Sequence, residues 1–210
     1  MTFPIDPGAI LPFLAAVLFI ELTPGPNMAY LAALSASDGR AAGFKAVAGI
    51  TTGLTLYMLL SVFGVAEIIA AAPLVYGVLR WAGVIYLLYL AWEAWRGAEE
   101  TSPGQTGGGG DHRPFWRGFV ANVLNPKAAV FYITLLPGFI APDHGAFWIQ
   151  ALILGCVHLL VSIVVHGSIV VGASRAAALI ARAYVGAVRR ALAVCVALIA
   201  VWLAWETRPA

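Results

Sequence analysis

Two polar interruptions stand in otherwise apolar runs. Glu21-Leu22-Thr23-Pro24-Gly25-Pro26-Asn27 breaks into one, and Asn122-Val123-Leu124-Asn125-Pro126-Lys127 breaks into another in the second half of the chain. Proline removes a backbone donor and collides with the preceding helical turn, so two prolines flanking a glycine should break a helix outright. In lipid the carbonyls freed in this way cannot stay unpaired, so each break must face protein or a water-filled cavity. Exposed carbonyls, amides and half-helix dipole ends can meet the charged groups of a substrate or an ion. One isolated proline in an apolar helix is a kink. A PGP and an NPK in matching helices point instead to a binding site built from Thr23, Pro24, Gly25, Pro26, Asn27, Asn125, Pro126 and Lys127.

Ionisable residues inside apolar runs are the second signal. At 1.5 Å per helical residue, Glu21, Lys127 and His158 each lie roughly 15 Å from the nearest membrane surface, close to the midplane. A charge at that depth costs several kcal/mol unless paired or hydrated. Glu21 and Lys127 have opposite signs, and the economical expectation is that they pair, either to couple an ion or only to lock two helices together. His158 is a candidate proton carrier alongside Glu21, or a hydrogen-bonded packing residue. His166 is a weaker candidate, and Glu67 and Arg80 are expected to reach water at the outer interface. Cys156 and Cys195 show no CxxC spacing and are expected as small buried apolar residues. Gly49-Ile50-Thr51-Thr52-Gly53 is a GxxxG, expected to let another helix approach closely.

The elements that position these residues follow from hydropathy. Of 210 residues, 61% are hydrophobic and 10% charged, with a mean hydropathy of +0.90. A soluble domain carries about 25% charged residues, so this chain cannot cover itself in water. Six apolar segments, at about 9–34, 46–70, 74–95, 117–140, 147–171 and 190–205, are long enough to cross a bilayer. The expected fold is an all-α integral membrane protein of six transmembrane helices, with the first and fourth interrupted. It forms one transmembrane transporter domain over residues 1–210. A Gly-rich linker at about 96–116 separates a first half (about 9–95) from a second (about 117–205). Three crossings per half give the halves inverted topology, an arrangement many secondary transporters use for alternating access. The N-terminal MTFPIDPGAILPF lacks a basic n-region and reads as the start of a retained span.

Positive charge fixes the expected orientation. Arg40, Lys45, Arg96, Arg113, Arg117, Arg175, Arg182, Arg189 and Arg190, nine of the twelve Lys and Arg, fall on one side. Asp6, Glu67, Asp143, His144, Glu206 and Arg208 fall on the other, with Arg80 just inside the third segment. The linker is therefore expected in the cytoplasm and both termini outside. Trp92, Trp95 and Trp116 fall at the inner interface, and Trp148, Trp202 and Trp205 at the outer one. A net charge of +2 gives no reason to expect nucleic acid as a partner.

TPGPN at 23–27, AGITTG at 48–53, LRWAGVIYLLYLAW at 79–92 and NPKAAVFY at 125–132 together resemble the LysE/RhtB family of bacterial amino-acid exporters. The resemblance runs over nearly the whole chain. It implies a multi-pass exporter of amino acids or close derivatives in the inner membrane, energised by an ion gradient, that of protons, with the lipid bilayer and a small-molecule substrate as partners. Self-association into a homo-oligomer stays open. An exporter of metal or another inorganic ion on a related scaffold is the alternative, but the sequence lacks the clustered His, Asp or Cys such a site wants. No nucleophile–base pair or HExxH points to an enzyme. No GxxxxGK[ST] loop points to ATP as the driver, and no cofactor or metal is expected.

Overall fold

A computed structural model describes residues 4–63, 73–96, 112–179 and 185–206. Seven α-helices run through them, and among the described residues there is no strand: α1 (Pro7–Leu22), α2 (Pro26–Val62), α3 (Pro73–Arg96), α4 (Arg113–Val123), α5 (Pro126–Val130), α6 (Phe147–Leu179) and α7 (Val185–Glu206). A π-helical turn (Phe131–Leu135) and a 3₁₀ turn (Leu136–Phe139) continue α5. By length and composition α2 and Phe147–Ala178 of α6 can each cross a membrane, and α4 with Pro126–Phe139 forms a further candidate bent by 53°.

The length of α2 hides a reversal. Gly39 sits at φ 84° and ψ −179°, a conformation essentially reserved for glycine. Beyond it, a Cβ on Gly43 would run into the Ser35 hydroxyl. Residues eight apart in a straight helix are separated by about 12 Å, so residues 26–38 and 40–62 fold back on one another. The loop expected over residues 35–43 is therefore a single glycine: Ala, Ser and Arg keep the helix going on either side. Three further boundaries move for related reasons. The fourth apolar segment begins in helix at Arg113, where Pro114 sits in the first turn and needs no N–H partner. The fifth runs on to Leu179 through GASRAAAL, because alanine and arginine are strong helix formers. The sixth starts at Val185.

Residues 40–62 of α2 and helix α4 run side by side, with glycines at the crossing. A Cβ on Gly49 would meet the Phe115 carbonyl, and one on Gly118 the Ala46 carbonyl. The GxxxG at 49–53 thus serves packing, as small residues do between membrane helices. The Thr52 hydroxyl bonds its own helix at Ala48 O, 2.8 Å. The α2 helix also packs along α6, which encloses the main core with α1 and α5. Helices α3 and α7 pair with each other around a smaller core of Val84, Ala91, Val196 and Ala200.

Large apolar side chains cover the outside, among them Leu11, Phe19, Trp81, Leu160, Val164, Leu198 and Trp205. Such a surface is soluble in lipid, not in water. Cys156 and Cys195, expected as buried, are exposed and unpaired; a thiol is apolar enough to face lipid. At one end Asp6 and His144 approach to 4.0 Å. At the end where α3 stops and α7 starts, Arg96 lies over Trp92 and Arg190 over Trp95. Glu67, Arg182, Arg208 and most of the linker lie outside the described residues, as do the side chains of Arg80, Arg189, Trp202 and Glu206.

Candidate functional site

The two interruptions meet. Helix α1 ends at Leu22, and Thr23 leaves it in an extended conformation while its hydroxyl still bonds Phe19 O at 2.6 Å. Helix α2 then starts at Pro26 with Gly25 as its N-cap and no side chain capping it. Across from it, α4 ends at Val123 and α5 starts at Pro126. There the Asn125 side chain accepts the Lys127 N–H at 3.0 Å, an N-cap made within the break itself.

Two polar contacts tie the breaks together. Lys127 Nζ donates to the Thr23 carbonyl at 2.8 Å. In an unbroken helix that carbonyl would accept the Asn27 N–H; the break removes this donor and an ammonium takes its place. Asn27 Nδ2 donates to Asn122 Oδ1 at 2.8 Å, with both side chains buried. This leaves one acceptor, Asn27 Oδ1, and one donor, Asn122 Nδ2, with no hydrogen-bond partner. Unsatisfied buried polar atoms are rare and call for an explanation. Both amides border a cavity of about 20 Å³ whose wall also includes Glu21, Asn125, Lys127 and His166. Roughly 10–15 Å³ admits one water, so the cavity in this conformation is closed down well below the ~300 Å³ at which ligand pockets ordinarily begin.

Glu21 departs from the sequence expectation. No Glu21–Lys127 ion pair forms among the described residues. The carboxylate turns to α6, where Oε1 lies 3.0 Å from His158 Nε2 and Oε2 lies 3.9 Å from His166 Nε2. Equal depth left both partners open, and Lys127 is drawn away by the Thr23 carbonyl. The second nitrogen of each imidazole is also held: His158 Nδ1 to the Tyr132 hydroxyl at 3.0 Å, and His166 Nδ1 to Ser162 Oγ at 2.9 Å. Tyr132 comes from the π-helical turn after α5, a distortion frequent at functional sites.

Of the residues singled out in the sequence, Glu21, Gly25, Asn27, Asn125 and Lys127 line the cavity. Pro26 and Pro126 are buried at the first positions of α2 and α5, where they end the preceding turns. Pro24 is exposed, so its part is the break and not a contact. His158 joins the constellation through Glu21 without lining the cavity. Asn122, Tyr132 and Ser162 belong to the site and were not singled out. Asn122 stood in the second interruption, but an asparagine one turn before a proline carries no signal of its own. His166, the weaker candidate by its distance from the midplane, lies at the cavity wall within 3.9 Å of Glu21 Oε2.

The family model described as LysE type translocator matches residues 18–207. An uncharacterized membrane protein of Pseudomonas aeruginosa is 34% identical over 157 residues, 71% of this chain and 72% of the relative. Homoserine/homoserine lactone efflux proteins of Salmonella typhimurium and Salmonella typhi are 31% and 30% identical over 169 residues, 79% of this chain and 81% of each relative. No solved structure matches.

Proposed function

We propose that this chain, which belongs to the LysE type translocator family, exports a small amino acid or a close derivative across the inner membrane at the expense of the proton gradient. The observation that carries the reading is the meeting of the two helix breaks: Lys127 on the Thr23 carbonyl, and the Asn27–Asn122 pair with one donor and one acceptor left over at a cavity. A substrate carboxylate competes for Lys127 Nζ and Asn122 Nδ2, and an α-ammonium finds Asn27 Oδ1 and the freed Thr23 carbonyl. Admission requires the cavity to widen, which parting the breaks achieves.

The surrounding architecture in this reading is one transport domain of six spans in two inverted halves. Residues 7–38 form the first span, broken at Thr23–Gly25, and residues 113–139 the fourth, broken at Leu124–Asn125. The linker is cytoplasmic and both termini are outside. A cytoplasm-only fluorescent reporter is then bright when fused after Gly108 and dark after Ala210; the reverse pattern overturns the orientation.

The names of the Salmonella relatives make homoserine the first substrate to test. Proteoliposomes loaded with labelled homoserine or other amino acids, with and without an imposed pH gradient, should release at least one of them faster than protein-free vesicles. Release of a divalent metal with no amino acid moved would replace the reading with that of an inorganic-ion exporter. Among the described residues no group of three or more His, Cys, Asp or Glu side chains is arranged so that it could hold a metal ion, which gives that alternative no support.

A further inference from the structure

We infer that Glu21, held between His158 and His166, is the site that carries the driving proton. This inference rests on the exporter reading and names the side chains that couple it. One carboxylate reaches two imidazoles that stand eight residues apart on α6, a separation of roughly 12 Å along the helix. The Glu21 carboxylate therefore bridges two imidazoles that belong to different levels of α6. In the proposed orientation His158 lies on the outer side of the carboxylate and His166 on the inner side.

The two ends differ in access. His158 is 1% exposed, its ring lies 3.8 Å from that of Phe131, and it does not line the cavity. His166 and Glu21 share the cavity wall. The titratable groups that face the carboxylate are His158 and His166 from α6 and Lys127 and Tyr132 from the α5 region. Glu21 is the one carboxylate and Lys127 the one primary amine lining the cavity among the described residues.

Hydrogen-bond accounting shows why one more proton moves the network. With Glu21 ionised and His158 neutral, every contact is satisfied: His158 Nε2–H donates to Oε1, and Nδ1 accepts from the Tyr132 hydroxyl. A proton added to Glu21 Oε1 takes the acceptor away from His158 Nε2–H. A proton added to His158 makes Nδ1 a donor and displaces the Tyr132 hydroxyl hydrogen. Either way the donor and acceptor roles along the Glu21–His158–Tyr132 chain must change. The 3.9 Å between Oε2 and His166 Nε2 is too long for a hydrogen bond, and a small swing of the carboxylate closes it. The proton then passes from the sealed end to the cavity end and leaves through His166, entering and leaving as H⁺ with no bond made to substrate. While Glu21 holds it, the cavity wall loses the Glu21 charge, and a substrate's α-ammonium loses the attraction of that charge. Proton and substrate therefore disfavour each other's binding, as exchange of an inbound proton for an outbound substrate requires.

The test uses His158→Gln, because glutamine offers one donor and one acceptor, enough to keep both Glu21 Oε1 and the Tyr132 hydroxyl, and cannot titrate. In proteoliposomes, counterflow of labelled homoserine without a gradient should stay within about twofold of wild type, while accumulation driven by an imposed pH gradient falls at least about tenfold. Driven accumulation at the wild-type level would assign His158 to packing alone and overturn the inference. Parallel loss of counterflow and driven transport would place it in binding or assembly and overturn it equally. A second readout needs no substrate. Infrared difference spectra of purified wild type between about pH 5 and pH 9 should contain carboxyl or imidazole bands that vanish or shift in Glu21→Gln. Identical spectra overturn the proton site even if transport is intact. If wild type moves no amino acid, the exporter reading fails and the spectra still decide the proton site.

Discussion

The two helix breaks have similar chemistry and opposite construction. The second is finished locally: Asn125 caps α5 with its own side chain, and the Ala128 and Ala129 N–H groups bond its carbonyl. The first has no side-chain cap, begins α2 at a bare Gly25, and has its Thr23 carbonyl satisfied by Lys127 from the other break. A break finished by its own residues survives movement of its surroundings. One that borrows its donor changes whenever the lender moves. The first break is thus the one whose shape depends on how the two breaks stand to each other.

Removing the borrowed donor tests this most severely. Lys127→Met leaves the Thr23 carbonyl without its partner, and losing a hydrogen bond to a charged group costs about 1.5–3 kcal/mol. Thermal unfolding in detergent should register that loss, and efflux should drop at least about tenfold because the substrate carboxylate loses its ammonium partner, a contact of similar size, with each 1.4 kcal/mol a factor of ten. Wild-type efflux from Lys127→Met would mean that the first break stands without help and that Lys127 is no part of the path.

That dependence could not be read from the sequence, although its ingredients could. PGP and NPK announce two breaks because proline's missing N–H is a local property. The depth of Glu21, Lys127 and His158 follows from counting residues. Rotation about the helix axis does not. A membrane helix that is apolar on most sides has no strong polar stripe to say which way a buried group points. With Glu21, Lys127 and His158 at one level, opposite charge favoured a Glu21–Lys127 pair, and the structure instead gives Glu21 to His158 and Lys127 to a backbone carbonyl. The Gly39 reversal was legible as a turn but not as a one-residue turn, because Ser35, Ser37 and Asp38 beside a glycine read as loop residues.

The amide contact between the breaks gives a smaller effect. Asn27→Leu or Asn122→Leu strands one buried amide, at about 1–3 kcal/mol each, whereas replacing both removes the polar pair together. The double variant should therefore lose less stability than the two singles combined, by at least about 0.5 kcal/mol in a double-mutant cycle on thermal unfolding. Simple additivity would say that the Asn27–Asn122 hydrogen bond does not join the breaks. Efflux should fall in both singles and stay low in the double, because the leftover acceptor and donor that face the cavity are gone as well.

The smallest effect belongs to the self-sufficient break. Asn125→Ala removes the N-cap of α5 and exposes the Lys127 N–H, a loss of about 1 kcal/mol. Aspartate caps as well as asparagine does, so Asn125→Asp should restore the stability to within about 0.5 kcal/mol of wild type. What it cannot restore is the side-chain amide donor: an ionised carboxylate only accepts, and it sets a negative charge beside the ammonium of Lys127. If Asn125 serves the break alone, efflux in Asn125→Asp recovers with stability. If its amide also meets the substrate carboxylate at the cavity wall it shares with Lys127, stability recovers and efflux stays down. An Asn125→Ala protein as stable as wild type would remove the asymmetry itself, since the second break would then need its own cap no more than the first does.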